Sequence, residues 1–507
     1  MAPSKVSAPL EIEVKFLFPS DAYPLLENTI ALKAAGTAPA QVHQVTTYYD
    51  TPELDLLQAG FSLRVRQTGG QYVQTLKTQQ SKRQLNFHRK EWEWHVASEQ
   101  PDLDLLSGTP LRNWRKDFRG KLAPVWTTDI RRTVHTFEHN GALVECSLDD
   151  GILRSGEKAT DLRELELELK RGPVTALYDL ALQFVADNPL RLGVLSKAER
   201  GYFLLTGSAP PSKKTKFQNL SRKITLLGGF RSLARTGLNG IILNLPAVEK
   251  SEMEGIHQMR VAIRQVRTIL RLFAHYEDDH TLKHFQKELR RIGRLLGKAR
   301  DWDVFCQDTL PNMLMEIADS SLKKILIDIA QEERRKSHEL LHQELKSTPL
   351  TILIISLSAW IEGHPLLGKK MFLRTPLHTL VPDLLKPLDH KITKQGSHIR
   401  RLSAEELHTL RKTLKKLRYS AGYFSNFYAR KNVKPYMDHC KKLQHYLGEI
   451  NDTAIADTLL KEIGKTHTKI YSIVSSVRSL NKKRRKSALH ALEHAWKKFR
   501  DTKPFWA

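Results

Sequence analysis

The hydrophobic period of this chain changes once, and that change constrains the fold more than any other feature. Up to about residue 205, polar and apolar residues alternate in short runs; beyond residue 218 the alternation vanishes and apolar residues recur every three or four positions. Side chains on a strand alternate between two faces, whereas those on a helix return to one face every 3.6 residues. The first part therefore predicts an α+β region and the second an all-helical one. A chain of 507 residues also exceeds what one ordinary core serves. The expected domains are 1–205 and 219–507, joined by a linker at 206–218 containing Ala209-Pro210-Pro211-Ser212-Lys213-Lys214.

Alternation marks strands at 11–16, 61–66, 72–77, 90–94, 125–137, 143–148 and 164–169, with turn signals such as His139-Asn140-Gly141 between several of them. Helical spacing fits 20–35, 102–118 and 174–187. Seven or eight strands with few helices predict an antiparallel sheet, closed into a barrel. On each strand one face is charged and the other apolar, as with Glu11, Glu13 and Lys15 against Ile12, Val14 and Phe16. The pattern leaves two arrangements open: apolar faces filling the barrel, or helices covering those faces while the charges line a tunnel. Glu164, Glu166 and Glu168 would repel one another in water, so nearby cations, and hence the tunnel, are favoured.

Charge divides the chain in the same place. Of 81 Lys/Arg and 55 Asp/Glu, residues 1–205 hold 25 and 26, leaving 56 and 29 for the rest. The second part thus calls for a polyanionic partner: nucleic acid, an anionic membrane surface or polyphosphate. Cys146, Cys306 and Cys440 lie too far apart for a disulfide framework or a zinc site. Residues 1–9 lack the apolar run of a signal peptide, and 350–361 is too short to span a bilayer and predicts a buried helix. Together these features predict a soluble cytoplasmic protein.

The helical part repeats itself at an offset of 151 residues. His257-x-x-Arg260-x-x-x-Arg264-x-x-Arg267 returns as His408-x-x-Arg411-x-x-x-Lys415-x-x-Arg418, and Leu296-Gly297, Asp301 and Phe273 map onto Leu447-Gly448, Asp452 and Phe424. Offsets of 0, 3, 7 and 10 share one helix face, so each copy presents a basic stripe. Two helical bundles, about 219–362 and 363–507, related by a pseudo-two-fold axis, are the expectation. Asp301 and Asp452 are expected to position the arginines.

The ordered motifs of residues 10–205 resemble the CYTH, or triphosphate-tunnel metalloenzyme, family. They are Glu11-x-Glu13-x-Lys15, Tyr48-Tyr49-Asp50-Thr51-Pro52, Arg64-x-Arg66, Thr75-Leu76-Lys77 and Arg89-x-Glu91-x-Glu93. Asp129-x-x-Arg132-Thr133, Glu145-x-x-x-Asp149-x-Gly151, Glu164-x-Glu166-x-Glu168-x-Lys170 and Ser196-Lys197-Ala198-Glu199-Arg200-Gly201-Tyr202 follow. The resemblance implies an eight-stranded antiparallel tunnel with inward charges. Triphosphate carries several negative charges and needs a cationic cradle, for which Lys15, Arg64, Arg66, Lys77, Arg89, Arg132 and Lys197 are the candidates. Mg²⁺ or Mn²⁺ held by Glu11, Glu13, Glu145, Asp149, Glu166 and Glu168 would neutralise the transferring group. Lys15, Glu13 and Glu168 are the candidate catalytic residues. Lys90 and Lys170 are expected to be solvated, and His43 and His95 to be ordinary surface or strand histidines.

Residues 219–507 resemble the CHAD domain through Gly255-Ile256-His257-Gln258-Met259-Arg260, Leu296-Gly297-Lys298-Ala299-Arg300-Asp301, Lys416-Leu417-Arg418-Tyr419 and Leu447-Gly448-Glu449-Ile450-Asn451-Asp452. That implies binding of inorganic polyphosphate by His257, Arg260, Arg264, Arg267, His408, Arg411, Lys415 and Arg418. Lys415 stands where the first copy has an arginine, so unequal halves are expected. The functional expectation is metal-dependent hydrolysis of inorganic triphosphate with an appended polyphosphate-binding module, acting on neither membrane nor specific nucleic acid. Thiamine-triphosphate hydrolysis, cyclisation of ATP and non-catalytic polyanion binding are the alternatives.

Overall fold

The structure, a computed structural model, describes residues 12–33, 39–78, 91–274, 280–317, 320–363 and 374–507. Two compact units emerge: one of 1–212, 242–250 and 345–363, the other of 213–241, 251–344 and 364–507.

The first unit is built on nine antiparallel strands: β1 (Ile12–Leu17), β2 (Ala40–Asp50), β3 (Phe61–Thr68), β4 (Gln71–Thr78), β5 (Glu91–Val96), β6 (Ala123–His139), β7 (Ala142–Ser155), β8 (Lys158–Arg171) and β9 (Arg191–Leu192). Their order is β5-β4-β3-β2-β6-β7-β8-β1-β9. The expected eight-stranded closed barrel is therefore corrected. The sheet has nine strands, and among the described residues β5 and β9 end it without pairing to each other. β9, two residues long, extends the sheet beyond β1 through Phe16 and Leu17.

Helices cover the apolar strand faces. Val14 and Phe16 of β1, Val144, Cys146 and Leu148 of β7, and Leu165 and Leu167 of β8 pack with Leu177, Leu180 and Phe184 of helix Val174–Asp187. Leu26 and Ile30 of helix Tyr23–Lys33 join them, as does Ile355 of helix Thr348–Gly363. On the other side of the sheet order, Leu63 of β3 and Leu76 of β4 pack with Leu106, Leu111 and Phe118. With those faces buried under helices, pleating leaves the charged faces pointing together.

Several local expectations change. Residues 102–118 form a 3₁₀ segment, Leu103–Gly108, and one short helix, Arg115–Phe118. Asp102 accepts a hydrogen bond from the Asp104 N–H and Pro110 lacks a donor, so no long helix forms. Helix Leu377–Gly396 runs through Pro382 and Pro387, residues that ordinarily break a helix.

In the second unit, helices Met253–Phe273 and Ala404–Phe424 begin and end 151 residues apart. Helices His280–Val304, Ser320–Leu345, Arg430–Thr466 and Tyr471–Arg500 are its other long elements. Among the described residues no helix is long and apolar enough to cross a membrane.

Candidate functional site

The charged strand faces of the first unit enclose a cavity of about 380 Å³. Register explains its walls. β1 places Lys15 opposite Glu166 and Glu13 opposite Glu168; β7 places Asp149 opposite both Glu164 of β8 and Arg132 of β6. On the far wall β3 supplies Arg64 and Arg66, β4 Lys77, and β5 Glu91 and Glu93. Helix Lys197–Thr206 brings its start to the cavity, its first turn fixed by a capping box between Ser196 and Glu199. Lys197 and Arg200 then reach the strands.

At the base lies a buried ion network. Arg132 donates two hydrogen bonds of 2.6 Å to Asp149 and one of 2.9 Å to Glu166. Lys197 Nζ lies 2.6 Å from Glu164, 2.9 Å from Asp149 and 3.0 Å from Glu166. Lys15 Nζ is 2.8 Å from Glu166, and Arg200 is 2.8 Å from Glu164. Burial opposes the charge of Lys15, but Glu164 and Glu166 outweigh it and raise its pKa. Lys197 is likewise raised against burial, by Asp149, Glu164 and Glu166. Burial would lift the Glu164 carboxyl; Lys15 and Lys197 instead bring it down to about 2. Each ionised group depends on its partners, because an isolated charge at this depth would be prohibitively costly.

The opposite wall is not compensated in this way. Lys77 pairs with Glu91 at 2.7 Å, but none of the described carboxylates forms an ion pair with Arg66. Repulsion from Arg64, then burial and Arg132, lower its guanidinium from 12.5 to about 10. The Nε atoms of Arg64 and Arg66 are buried without a hydrogen-bond partner. A cavity wall with unspent cationic donors has the chemistry to receive an anion.

Carboxylates able to take a metal divide into two groups. Asp149, Glu164 and Glu166 bring oxygens within 4.8 Å of one another, the acidic cluster of the described residues. Ammonium and guanidinium groups already satisfy those oxygens, so a metal there would displace Lys197. Glu13 and Glu168 instead line the cavity. Glu168 pairs with Lys170 at 2.8 Å, while Glu13 has no ion-pair partner among the described residues. Two like charges opposite each other across a strand pair are unfavourable without a cation, and hard oxygen donors suit Mg²⁺ or Mn²⁺.

Lys15, Glu13, Glu168, Arg64, Arg66, Lys77, Arg132, Lys197 and Glu166 thus meet at one cavity. Asp149 lies behind that surface, fully buried. Glu145 is not among the lining residues and pairs with Lys170 at 3.3 Å. Lys170, expected in solvent, lines the cavity instead, because it shares the strand face of Glu166 and Glu168. Glu11 and Arg89 lie outside the described residues. His43 is exposed and 2.6 Å from Asp129. Sequence reasoning missed Glu164, Arg200 and Tyr48, although the Glu164-x-Glu166-x-Glu168 alternation already placed Glu164 on the inner face.

The second unit has its own basic pocket, about 170 Å³, lined by His257, Arg260, Arg264, Arg411 and Lys415 with Asp301 and Asp452. Each stripe passes a glycine of the next helix. A Cβ on Gly297 would lie 3.6 Å from the Arg260 guanidinium, and one on Gly448 3.9 Å from that of Arg411. Burial first, then Arg264, Arg411 and Arg260, lower Lys415 from 10.5 to about 6.

The stripe does not stay together. Over ten residues it rises about 15 Å, longer than so small a pocket. Arg267 and Arg418 are not among the lining residues. Arg267 lies instead among Arg271, Arg290 and Arg294, where burial and those charges lower it to about 10. Arg418 and Arg264 flank the Tyr419 ring at 5.1 and 5.5 Å. His408 lines an adjoining cavity of about 680 Å³ and is 2.7 Å from Asn451.

Comparison with known proteins agrees with this division. Over 159 residues the chain is 31% identical to an inorganic triphosphatase of Haemophilus influenzae, a match spanning 31% of this chain and 45% of that relative's length. The CHAD domain from the plant Ricinus communis is similar at 23% identity and a TM-score of 0.52, covering 58% of this chain and 98% of that one. A putative adenylyl cyclase from Hippeastrum, described as having a dominant triphosphatase activity, matches at 20% identity and a TM-score of 0.29, over 40% of this chain and 98% of its own. Residues 9–202 match the family model of the CYTH domain and residues 233–461 that of the CHAD domain.

Proposed function

We propose that the first unit hydrolyses inorganic triphosphate to diphosphate and phosphate with the help of a divalent metal, and that the second binds inorganic polyphosphate. The observation that carries the first reading is Arg66, a largely buried guanidinium beside Arg64 and Arg132 that forms no ion pair with a carboxylate among the described residues. A multiply charged chain of phosphates answers that excess better than a single carboxylate would.

Arg64, Arg66 and Lys77 seat one end of the substrate, the arginines by paired N–H donors. Lys15, Arg132 and Lys197 face the other end from the ion network, where their carboxylates hold them in place. Glu13 and Glu168 would hold Mg²⁺ or Mn²⁺, which when bound supplies neutralisation of charge on the transferring and leaving groups. Water oxygen bonds to the terminal phosphorus, the bond to the diphosphate oxygen breaks, and Glu168 takes up the water proton. Lys15 contributes most where charge builds on the leaving oxygens.

In the second unit, Arg260, Arg264, Arg411 and Lys415 form the polyphosphate seat, with the two copies of the repeat facing it as a pseudo-two-fold pair. Phosphate release from tripolyphosphate, ATP and thiamine triphosphate, with and without Mg²⁺, tests the enzymatic reading. No release from tripolyphosphate would overturn it. Competition between polyphosphate and DNA for the full chain across a salt series tests the second.

A further inference from the structure

Tyr48 takes no part in the scheme above, yet it is one of the most constrained side chains at the cavity. β2 carries Gln44, Thr46 and Tyr48 on the cavity face. The pairing of β2 with β6 then slips between Tyr48 and Tyr49. Such a bulge re-aims the residues that follow it. Tyr49 donates to the Glu99 carbonyl at 2.9 Å, and Asp50 accepts from the backbone N–H groups of Thr51, Leu56 and Leu57.

The Tyr48 ring is clamped from behind. Trp126 stacks on it at 4.9 Å and 21°, and Tyr202 meets Trp126 edge-on at 4.2 Å. Tyr202 in turn donates to Asp50 at 2.6 Å. Trp126 can sit there only because residue 201 is glycine: a Cβ would lie 2.2 Å from the indole. The ring therefore cannot swing away, and the pairing of β2 with β3 sets Tyr48 directly opposite Arg64, both on the cavity wall. Charges that act on it come from Arg64 and Arg66 on β3 and Lys197 on helix Lys197–Thr206, with Glu91 and Glu93 of β5 acting on Arg64 from beyond. Burial alone would push the phenol up, but those cations bring it below its ordinary value of 10.

We infer that Tyr48 is a positioning residue for triphosphate: its hydroxyl holds the Arg64 guanidinium aimed into the cavity, and loss of the phenolic proton sets the alkaline limit of substrate binding. The inference rests on the triphosphate reading. A phenolate oxygen and a phosphate oxygen would compete for one guanidinium, so each excludes the other. Binding weakens as the phenol ionises, and bound triphosphate keeps the proton on the oxygen.

Tyr48→Phe tests this, since it keeps the stacked ring and removes only the oxygen. Tripolyphosphate affinity is measured calorimetrically in chelator, and hydrolysis with Mg²⁺, from neutral to alkaline pH. Losing a hydrogen bond to a charged group predicts a KM about tenfold higher at neutral pH, with kcat nearly unchanged. The part of the alkaline rise in KM and in Kd that sets in below pH 10 should be absent from Y48F, leaving only the rise from Arg66 losing its charge near 10. Trp126→Phe, which loosens the clamp but keeps the phenol, should raise KM and retain the alkaline rise. Y48F with wild-type KM and an unchanged alkaline limb would overturn the role alone. Wild-type protein that neither binds nor hydrolyses tripolyphosphate would overturn the triphosphate reading and this role with it.

Discussion

Replacing Arg66 by methionine should stabilise the protein while crippling its proposed activity. In the folded chain this guanidinium is held at about 10 against an ordinary 12.5, by Arg64 first and then by burial. A difference of that size corresponds to about 3 kcal/mol against the charged form. The sign follows from linkage. Both folded and unfolded chains carry the charge at neutral pH, so the cost is present in full there, and it is relieved only as pH rises past 10. Methionine has a similar length and no charge, but it faces a polar wall, so roughly half the gain should survive. A net gain of about 1–2 kcal/mol corresponds to a rise of roughly 2–8 °C in the unfolding temperature. Thermal unfolding of wild type and R66M, with and without tripolyphosphate, reads both halves of the prediction. The ligand should raise the wild-type midpoint and leave that of R66M nearly unmoved. A destabilised R66M that still hydrolyses tripolyphosphate would refute the account of this wall as an anion seat.

The remaining predictions concern other charges. Lys15→Met and Glu13→Gln should each lower kcat by about 10²–10³-fold, judged on the scale of single electrostatic contacts, with circular dichroism unchanged; phosphate release measures this. Glu164→Gln leaves Lys15, Lys197 and Arg200 short of a buried partner and should cost about 3 kcal/mol at neutral pH in urea unfolding. Because Glu164 sits near 2 when folded and at 4.5 ordinarily, its contribution is complete above 4.5 and fades as pH falls toward 2, so E164Q should show a flatter acid limb. In the second unit, Lys415 titrates near 6 because of burial and three arginines. An arriving polyanion should restore its proton, so binding at neutral pH takes up a proton that Lys415→Met does not; calorimetry in buffers of different ionisation enthalpy measures the difference.

What the sequence revealed follows where local pattern and tertiary demand agreed. The strict alternations of β1, β3 and β8 place their charges on one face in the structure as in the sequence. β2 escaped notice because its inner face carries Gln44 and Thr46 rather than charges, and the bulge at Tyr48 breaks the period of two. Arg66 and Glu164 both stood on predicted faces, but one has no ion-pair partner among the described residues while the other meets Lys15, Lys197 and Arg200, a difference set by strand register and by where helix Lys197–Thr206 packs. Register joins strands as far apart in the sequence as β1 and β8, and no local pattern encodes it. Equally, spacing aligned Arg267 with Arg260, but the length of the helix carried it out of the pocket into a separate crowd of arginines. The prolines at 382 and 387 were overruled by packing that holds Val381, Leu384 and Leu385 in the core.

Helix Thr348–Gly363 buries Ile355 in the core formed by β1, β7 and β8. Glu249, at the end of helix Leu245–Glu249, pairs with Arg191 of β9 at 3.0 Å. The unit that holds the cavity is therefore incomplete when its last strand has been synthesised. At about 5–20 residues per second, the roughly 160 residues from Thr206 to Gly363 take on the order of 10–30 s to emerge. For that interval an apolar face of the nascent sheet lacks its final cover and is a target for chaperones. Truncation at residue 212, where the first stretch of that unit ends, would make that transient exposure permanent.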